Sequence, residues 1–357
     1  NFSTAFKDPD LSRSLVERLH RELDRPLRFM EVCGTHTVAL FRHGIRSLLP
    51  ANLKLLSGPG CPVCVTDQGY IDTVIDLARR TDCLIATYGD MIRVPGRNTS
   101  LERLSLSNVR VVLSSDDAVT LAQKHPDKTV VFVAVGFETT TPATAVAIRQ
   151  AQELGLKNFT VLCGHKRVLP AMNVLLSGRN DKIDAFLCPG HVSVILGSKA
   201  YEPVVKNFSR PCVVAGFEAE QILLGLAKIC RQIADKKPAV DSVYSLAVRP
   251  EGNPVAIQII DQVFEPCDGP WRGLGCIPKG ALRIRDQYAD FDAQRRFGIE
   301  QIPTEEPGGC LCGKVLCGLI EPSQCGLFGK KCTPDHPVGP CMVSTEGACA
   351  AWYKYQR

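Results

Sequence analysis

Short apolar runs that alternate with helical stretches constrain the fold of this chain more than any other feature. The runs are LRFMEV (27–32), LKLL (53–56), CLIATY (83–88), VRVVL (109–113), VVFVAV (130–135), FTVLC (159–163), AFLC (185–188) and CVVAGF (212–217). Strands that are apolar on both faces are typical of parallel sheets, because the helices of βαβ units cover both faces. The pattern therefore predicts an α/β fold with parallel sheets.

Three pairs of stretches recur at nearly one spacing and predict a duplicated unit. VCG (32–34) returns as LCG (162–164), Pro59-Gly60 returns as Pro189-Gly190, and CLIATY returns as CVVAGF, each 129 or 130 residues later. Leucines at every fourth position from Leu11 to Leu23 also predict a helix over 8–24. We therefore predict an N-terminal helix at 1–25, two similar α/β domains at 26–125 and 126–235 that face a cleft, and a third region at 236–357.

The composition argues against two classes of partner. The chain carries 42 basic and 37 acidic residues, which are interspersed, so its net charge of +5 does not predict nucleic-acid binding. The longest apolar runs, such as VVFVAVGF (130–137), are about half the roughly 20 residues of a membrane-spanning helix, and we expect no membrane insertion. The first 25 residues are polar and amphipathic and do not predict a secretory signal.

Cysteine is the residue type that stands out. The chain holds 17 cysteines among 357 residues, an odd number. Secreted disulfide frameworks are typical of short chains, so we expect this long, core-rich chain to belong to a reducing cytoplasm. In that compartment, clustered cysteines are more often metal-binding or redox-active than structural bridges.

Polar groups follow seven of the predicted strands, at the carboxyl ends where parallel sheets bind ligands. These groups are Cys33, Thr35 and His36; Cys61 and Cys64; Asp90 and Arg93; Glu138; His165 and Lys166; His191; and Glu218. Each has an ordinary alternative, since loop histidines are often only hydrogen-bonded and buried carboxylates are often satisfied by neighbours. Two facing domains would nevertheless gather them around one cleft, and the set predicts a site there.

The stretch GPGCPVCV (58–65) places Cys61 and Cys64 in a C-x-x-C pair. Such a pair can form a reversible disulfide, bind a metal, or occur by chance. A zinc knuckle needs a second Cys or His pair at suitable spacing, and none is obvious nearby. A Pro between the cysteines and a helix start at the turn are typical of redox motifs, in which the thiol pKa is lowered. The redox interpretation is favoured, and metal ligation stays open.

Cys33 differs from this pair because it is single. It follows a predicted strand, where we expect it to be exposed, and it precedes Gly34, Thr35 and His36. A lone thiolate in such a loop can be a nucleophile or a ligand for a soft metal. The alternative is a buried packing cysteine, and the flanking Gly34 and His36 argue instead for a loop.

The C-terminal cysteines are the strongest cofactor signal. Seven cysteines lie at 310, 312, 317, 325, 332, 341 and 349, in a segment with little apolar periodicity. Such a segment often needs a metal centre to hold its fold. Cys312, Cys325, Cys332 and Cys349 form C-x12-C-x6-C-x16-C, and iron–sulfur clusters are held by four thiolates. Spacing alone does not choose four ligands from seven, and zinc stays possible.

Several long motifs together resemble the HypD family of [NiFe]-hydrogenase maturation factors. The matching stretches are MEVCGTHT (30–37), GPGCPVCV (58–65), YGDMIRVPG (88–96), GFETTTPATA (136–145), PGHVSVI (189–195), AGFE (215–218), WRGLG (271–275) and STEGACAAWYKY (344–355). They span nearly the whole chain. The resemblance implies two similar α/β domains facing a cleft and a small Cys-rich iron–sulfur domain at 236–357.

The resemblance also implies a function. HypD proteins are scaffolds on which an iron atom acquires two cyanides and one carbon monoxide, together with the small chaperone HypC, while HypE supplies cyanide with HypF upstream. By motif, Cys33 would be the iron-binding thiolate, shared with a HypC cysteine, and Cys61 and Cys64 would be the redox pair. The ligands of a [4Fe–4S] cluster would be Cys312, Cys325, Cys332 and Cys349. Cys310, Cys317 and Cys341 lie outside the expected pattern and leave the ligand choice open, especially Cys310 against Cys312.

Other strand-end groups would assist this chemistry. From position alone, His36, Asp90, Glu138, His191 and Glu218 could donate protons or hold cyanide by hydrogen bonds. Two further functions stay open. One is a cluster-dependent thiol–disulfide oxidoreductase with a protein substrate, and the other is a zinc-stabilised binding protein.

Overall fold

The structure is a computed structural model that describes residues 9–179, 182–300 and 308–355. Its strands are β1 (Leu27–Glu31), β2 (Leu53–Ser57), β3 (Cys83–Thr87), β4 (Val109–Val111), β5 (Thr129–Gly136), β6 (Phe159–His165), β7 (Ala185–Pro189), β8 (Cys212–Ala215), β9 (Val240–Ser242), β10 (Phe264–Trp271) and β11 (Gly275–Ile284). Strands β1 to β8 confirm the eight apolar runs that the sequence predicts as strands.

Two parallel sheets contain most of these strands. In the described residues, the first sheet has the order β2-β1-β7-β8-β9 and the second has the order β4-β3-β5-β6, whereas β10 and β11 form an antiparallel pair. Every residue of β3 and of β7 is buried, because helices cover both faces of the sheets. The predicted α/β class with parallel sheets is confirmed.

Helices connect the strands in the expected alternation. They are α1 (Pro9–Glu22), α2 (Gly34–Arg42), α3 (Ile45–Leu48), α4 (Pro62–Val65), α5 (Gln68–Ala78), α6 (Gly89–Arg93), α7 (Leu101–Leu104), α8 (Ser115–Lys124), α9 (Thr141–Glu153), α10 (Val168–Val174), α11 (Gly190–Leu196), α12 (Glu202–Phe208), α13 (Ala219–Ala234), α14 (Pro254–Val263), α15 (Ala293–Arg296), α16 (Cys312–Leu316) and α17 (Ala348–Tyr355). Helix α1 confirms the leucine periodicity, since Leu15 and Leu19 are buried. None of the described helices has the length and apolar character needed to cross a membrane.

The order of strands in the sheets differs from their order along the chain. β1 and β2 pair with β7, β8 and β9, whereas the intervening β3 to β6 form the second sheet. The predicted boundary at residue 125 therefore falls within the second sheet, and β9 extends the first sheet beyond the predicted limit at 235. Apolar runs predict strands but not their partners, and consecutive strands are neighbours only about two-thirds of the time.

The stretches that suggest a duplication do not occupy equivalent places. The first copy covers β1, β2 and β3, and the second covers β6, β7 and β8. β1 and β2 are neighbours in one sheet, yet β6 and β7 lie in different sheets. The similar stretches share a local pattern, an apolar strand with a tight turn, and not a repeated tertiary arrangement.

The cysteine-rich part of the chain after β11 forms short helices and turns that pack on the first sheet. Residues 308–355 contain α16, α17 and the 3₁₀ turns Pro322–Gln324 and Pro340–Met342. Leu316 and Cys341 share a buried cluster with Leu56 at β2 and with Cys64. The cysteine-rich segment therefore shares a core with the ends of β1 and β2.

Candidate functional site

Cys33 lies in the loop between β1 and α2, as the N-cap residue of α2. Its backbone is extended, with φ −148° and ψ 124°, and only 7% of the residue is exposed. The predicted loop is confirmed, but the predicted exposure of Cys33 is wrong. The thiol is buried because segments from two distant parts of the chain cover the loop.

Close backbone contacts hold this loop on both sides. The Gly34 N–H donates to the Gly60 carbonyl at 2.9 Å, and a Cβ added to Gly60 would lie 2.2 Å from the Cys33 nitrogen. On the other side, a Cβ added to Gly34 would lie 2.4 Å from the Glu346 carbonyl oxygen. Glycine is required at both positions because three chain segments meet at backbone distance.

The environment of Cys33 favours the protonated thiol. Burial raises the pKa of Cys33 to about 11, although backbone N–H groups at the start of α2 favour the thiolate and the Glu346 carboxylate opposes it. The Thr35 hydroxyl donates to Glu346 Oε1 at 2.7 Å, which fixes that carboxylate beside the loop. Binding of a metal by this sulfur must therefore displace a proton.

Cys61 and Cys64 lie at the short helix α4, directly after the loop that contacts Cys33. Cys61 is the N-cap residue, and its Sγ accepts a hydrogen bond from the Cys64 N–H at 3.3 Å. Both residues are buried, with 3% and 0% exposed. Burial raises the pKa of Cys64, opposite to the lowering that the sequence motif predicts. A four-residue helix contributes little dipole, so burial outweighs it.

Two further thiols connect this pair to the C-terminal segment. The Cys64 thiol shares a buried cluster with the Cys341 thiol, close enough for each to influence the pKa of the other. Cys341 Sγ in turn lies 2.8 Å from Cys312 Sγ. Cys61, Cys64, Cys341 and Cys312 therefore lie in one buried cluster, in which Cys341 and Cys312 are in direct sulfur contact. Neither this link nor the closeness of Cys312 and Cys341 has a sequence signal, because the residues are 29 or more positions apart.

Six thiols line one small cavity in the C-terminal segment. They are Cys310, Cys312, Cys325, Cys332, Cys341 and Cys349, against a wall that includes Leu327, Phe328 and Met342. The space between them is about 20 Å³ in this arrangement, and no three metal-ligating side chains of the described residues converge on a single-ion site. Soft thiols in an apolar setting are the donor set that an iron–sulfur cluster requires. All four predicted cluster ligands are in this set, together with Cys310 and Cys341.

Two other predicted residues, His36 and His191, pack against the Phe217 ring, just beyond the end of β8. The His36 ring is 4.9 Å from this ring and the His191 ring is 4.2 Å from it, measured between centroids. His36 Nε2–H donates to the Gly216 carbonyl at 2.9 Å, and burial lowers the pKa of His36 to about 4, so this ring is neutral. Glu218 is the exposed N-cap residue of α13, where it pairs with Gln221, and its role there is to begin a helix.

Glu138 lies apart from these groups, in the turn after β5. Its carboxylate accepts a hydrogen bond from the Val168 N–H at 3.1 Å, and burial raises the pKa of Glu138 to about 7. A buried carboxyl that titrates near neutral pH is suited to proton transfer. The structure gives no direct contact between Glu138 and the thiols.

Three of the remaining strand-end groups have ordinary partners, and Asp90 lies in the first turn of α6. His165 Nε2 is 3.0 Å from the Thr144 hydroxyl, and Arg93 donates to the Pro334 carbonyl. Lys166 Nζ donates to the Pro270 carbonyl at 2.7 Å and lies 3.8 Å from Asp67 Oδ2. These contacts join the second sheet to the β10–β11 hairpin and to the segment after Cys64, and they favour a structural role.

A groove opens beside the Cys33 loop, between α2 and α17. Its volume is about 650 Å³, and Thr35, Val38, Val343, Glu346 and Ala351 are among the lining residues. The motif STEGACAAWYKY (344–355) contributes much of this wall. Sequence reasoning noted the motif but missed Glu346, whose contact with the loop depends on the fold.

Comparison with known proteins gives a consistent result over the length of the chain. A family model described as "HypD: Hydrogenase formation hypA family" matches residues 10–356. The "Hydrogenase maturation factor HypD" of Azotobacter vinelandii is 46% identical over 363 residues, which cover 99% of this chain and 96% of that protein. The proteins of the same description from Rhizobium leguminosarum bv. viciae and Rhodobacter capsulatus are 42% identical (99% of this chain, 94% of that protein) and 40% identical (99% and 98%).

The similarity covers both parallel sheets and the cysteine-rich segment, so it concerns the same residues that build the candidate site. The resemblance noted in the sequence motifs is confirmed. This chain therefore belongs to the HypD family of hydrogenase maturation factors.

Proposed function

We propose that this chain is the scaffold on which the iron of a [NiFe]-hydrogenase active site acquires two cyanides and one carbon monoxide, with Cys33 as the thiolate that holds the iron. The observation that carries the proposal is the position of Cys33, a buried soft thiol where three segments meet beside an open groove. Low-spin iron with cyanide and carbon monoxide ligands suits such a thiolate. Burial would also protect the bound iron from water.

Two thiol pairs would supply reducing equivalents to this site. Cys61 with Cys64 is the first pair, and the 2.8 Å sulfur contact supports Cys312 with Cys341 as the second. Oxidation of a pair releases two electrons and two protons and forms one disulfide. Because Cys64 and Cys341 lie in one buried cluster, thiol–disulfide exchange between the pairs is sterically plausible.

A [4Fe–4S] cluster is proposed as the resident cofactor of residues 308–355. When bound, it supplies single electrons. The family resemblance implies Cys312, Cys325, Cys332 and Cys349 as ligands, but Cys312 faces Cys341 at 2.8 Å. Cys332 lies within electrostatic range of Cys310 and Cys349. We therefore favour Cys310 in place of Cys312, with Cys325, Cys332 and Cys349 retained.

The choice between Cys310 and Cys312 has a direct test. Cys310→Ala should lose most of the iron and acid-labile sulfide of the anaerobically purified chain, because it removes a ligand. Cys312→Ala should keep both, because it removes only a thiol-pair partner. The opposite result would restore Cys312 as the ligand. Zinc in place of iron and sulfide in the unchanged chain would favour the zinc-stabilised binding protein instead.

The groove beside Cys33 would receive a HypC-type chaperone. Its wall combines apolar residues such as Val38 and Ala351 with the polar Thr35 and Glu346, as a protein interface requires. A cysteine of the chaperone could then share the iron with Cys33. HypE, with HypF upstream, would supply cyanide to the same position.

Infrared spectroscopy of the chain co-purified anaerobically with its HypC-type partner tests the central proposal. Cys33→Ala should abolish the cyanide and carbon monoxide bands while the C-terminal iron and sulfide remain. Cys230→Ala is a matched control, because Cys230 is also buried but lies in α13. Persistence of the bands in Cys33→Ala would show that Cys33 is not the essential ligand.

The four buried thiols also support a second candidate, a cluster-dependent thiol–disulfide oxidoreductase with a protein substrate. Cys61, Cys64, Cys341 and Cys312 would suffice for that activity. The two functions differ in their need for Cys33. Disulfide turnover that is unchanged in Cys33→Ala, without mononuclear iron in the unchanged protein, would favour the oxidoreductase.

A further inference from the structure

A buried ion pair lies beneath the Cys33 loop. Arg46 Nη2 donates to Glu31 Oε1 at 2.7 Å, with 16% of the Arg46 side chain and 1% of the Glu31 side chain exposed. Glu31 ends β1, two residues before Cys33. None of the sequence motifs assigns a role to either charge.

One oxygen of Glu31 joins the segments that support the thiols. Besides Arg46, Glu31 Oε1 accepts hydrogen bonds from Ser57 Oγ at 2.9 Å and from Thr37 Oγ1 at 3.3 Å. Ser57 ends β2, directly before the loop that leads to Cys61. Thr37 lies in the first turn of α2, and its N–H donates to the Cys33 carbonyl at 3.2 Å. The carboxylate therefore fixes both sides of the Cys33 loop.

Arg46 extends the same network to the C-terminal segment. Its Nη1 donates to the Leu55 carbonyl at 3.0 Å. Its guanidinium carbon lies 4.8 Å from the Phe41 ring centroid and 5.6 Å from that of Trp352. Trp352 belongs to α17, the helix that also carries Cys349. Arg46 thus connects the Cys33 loop with the helix that lines the groove.

The network is not arranged for maximum stability. Glu31 Oε2, Arg46 Nε and Trp352 Nε1 are all buried without a hydrogen-bond partner. A buried ion pair often contributes no more stability than apolar residues of the same volume, whereas it fixes geometry through directed bonds. A buried ion pair at this place is better explained by a requirement to fix the geometry of the segments around it.

We propose that Glu31 and Arg46 are positioning residues, which hold the Cys33 sulfur at a fixed place relative to the Cys61 loop and helix α17. The inference rests on the proposed function, in which Cys33 holds the iron. Arg46 is suited to this task because its planar fork donates to Glu31 and Leu55 at once while its face packs on two rings. A lysine would keep the positive charge but lacks the planar guanidinium that donates to both groups at once.

Cys33 accessibility in the purified full-length chain tests positioning without any iron chemistry. The rate of iodoacetamide labelling is measured for each cysteine by peptide mass spectrometry. We expect Arg46→Met to label Cys33 at least tenfold faster than the unchanged chain, because the loop loosens. Arg46→Lys and the isosteric Glu31→Gln should give smaller increases. Arg283→Met is the control, since Arg283 forms an exposed pair with Glu265.

The same variants are then purified with the HypC-type partner. Positioning predicts weakened or shifted cyanide and carbon monoxide bands in Arg46→Met, partial recovery in Arg46→Lys, and unchanged C-terminal iron and sulfide. Cys33 labelling within twofold of the unchanged chain would overturn the proposal. So would a parallel loss of the unfolding midpoint, the cluster iron and Cys33 protection in both Arg46→Met and Glu31→Gln, which indicates a general stabiliser. If Arg46→Met does not fold, Glu31→Gln decides.

Failure of the proposed function leaves a different pattern. In that case the bands persist in Cys33→Ala, while the labelling rates still report whether Glu31 and Arg46 position the loop. The two conclusions can therefore fail separately.

Discussion

The thiols at the ends of β1 and β2 and the thiols of residues 308–355 are held in different ways. Cys33 and Cys61 are fixed by backbone hydrogen bonds that continue the first sheet, such as Gly58 N–H to the Glu31 carbonyl at 2.8 Å. The C-terminal thiols lie on short helices and turns and face one another across a small space. The first group is positioned by the fold, whereas the second is expected to depend on its cofactor.

This difference suits the proposed division of labour. A site that receives and releases iron must keep its shape when empty, and a parallel sheet provides that rigidity. The proposed cluster would stay bound, and its binding free energy would contribute to the folding of residues 308–355. Cys64, Cys341 and Cys312 lie in one buried cluster, where the sheet ends meet the C-terminal segment.

Removal of a proposed cluster ligand should give the largest effect. It tests whether the C-terminal thiols depend on a cofactor while the thiols at the sheet ends do not. Cys325→Ala should lose most cluster iron and sulfide and make residues 308–355 sensitive to protease, because short turns alone do not hold the segment. Iron analysis and limited proteolysis with mass spectrometry measure this. Cys276→Ala, at an exposed position in β11, is the control. A protease-resistant segment without iron would show that both groups are held by the fold.

Cys61→Ala tests whether the thiols at the sheet ends and the C-terminal thiols have different functions. We expect cluster absorbance to persist and hydrogenase maturation to stop, because the variant removes one redox partner but no cluster ligand. Visible spectra of the purified chain and hydrogenase activity in a complemented strain are the measurements. Cys83→Ala, buried in β3, controls for loss of a buried thiol. Loss of the cluster in Cys61→Ala would return the pair to metal ligation.

The pH dependence of Cys33 labelling tests whether this buried thiol at the end of β1 is protonated at neutral pH. Because the pKa of Cys33 is raised to about 11 by burial, its thiolate fraction should increase about tenfold per pH unit from pH 7 to pH 10. Peptide-resolved iodoacetamide labelling over this range measures the slope, with Arg283→Met as a folding control. A plateau below pH 9 would contradict the protonated resting state.

The smallest effect is expected at Glu138. Burial raises its pKa from 4.5 to about 7, so the folded chain holds the proton more tightly than the unfolded chain. The stability from this group is complete below pH 4.5 and is lost as pH rises through 7. Glu138→Gln stays neutral, and should be more stable than the unchanged chain by about 1–3 kcal/mol at pH 8 and similar near pH 4.5.

Urea unfolding at both pH values measures this difference. Glu251→Gln is a matched control, because Glu251 is exposed and forms a surface ion pair with Lys199. Equal stabilities of Glu138→Gln and the unchanged chain at pH 8 would mean that the carboxylate is accommodated without cost.

Much of the candidate site can be read from the sequence. The apolar runs locate β1 to β8, the motifs identify the family, and all four predicted cluster ligands line one cavity. His36 and His191 are also brought together, around Phe217. By contrast, Glu218 caps a helix and Glu138 lies apart, because a place at a strand end does not specify the direction of the side chain.

The sequence by itself determined the strands, the C-x-x-C turn and the family, because these depend on residues that are close along the chain. Only the tertiary structure decided the exchange of strands between the two sheets, the burial of Cys33 under Glu346, the meeting of Cys312 with Cys341 and the ion pair of Glu31 with Arg46. The physical reason is that local patterns limit backbone conformation, whereas partners across many residues are selected by packing of the whole chain.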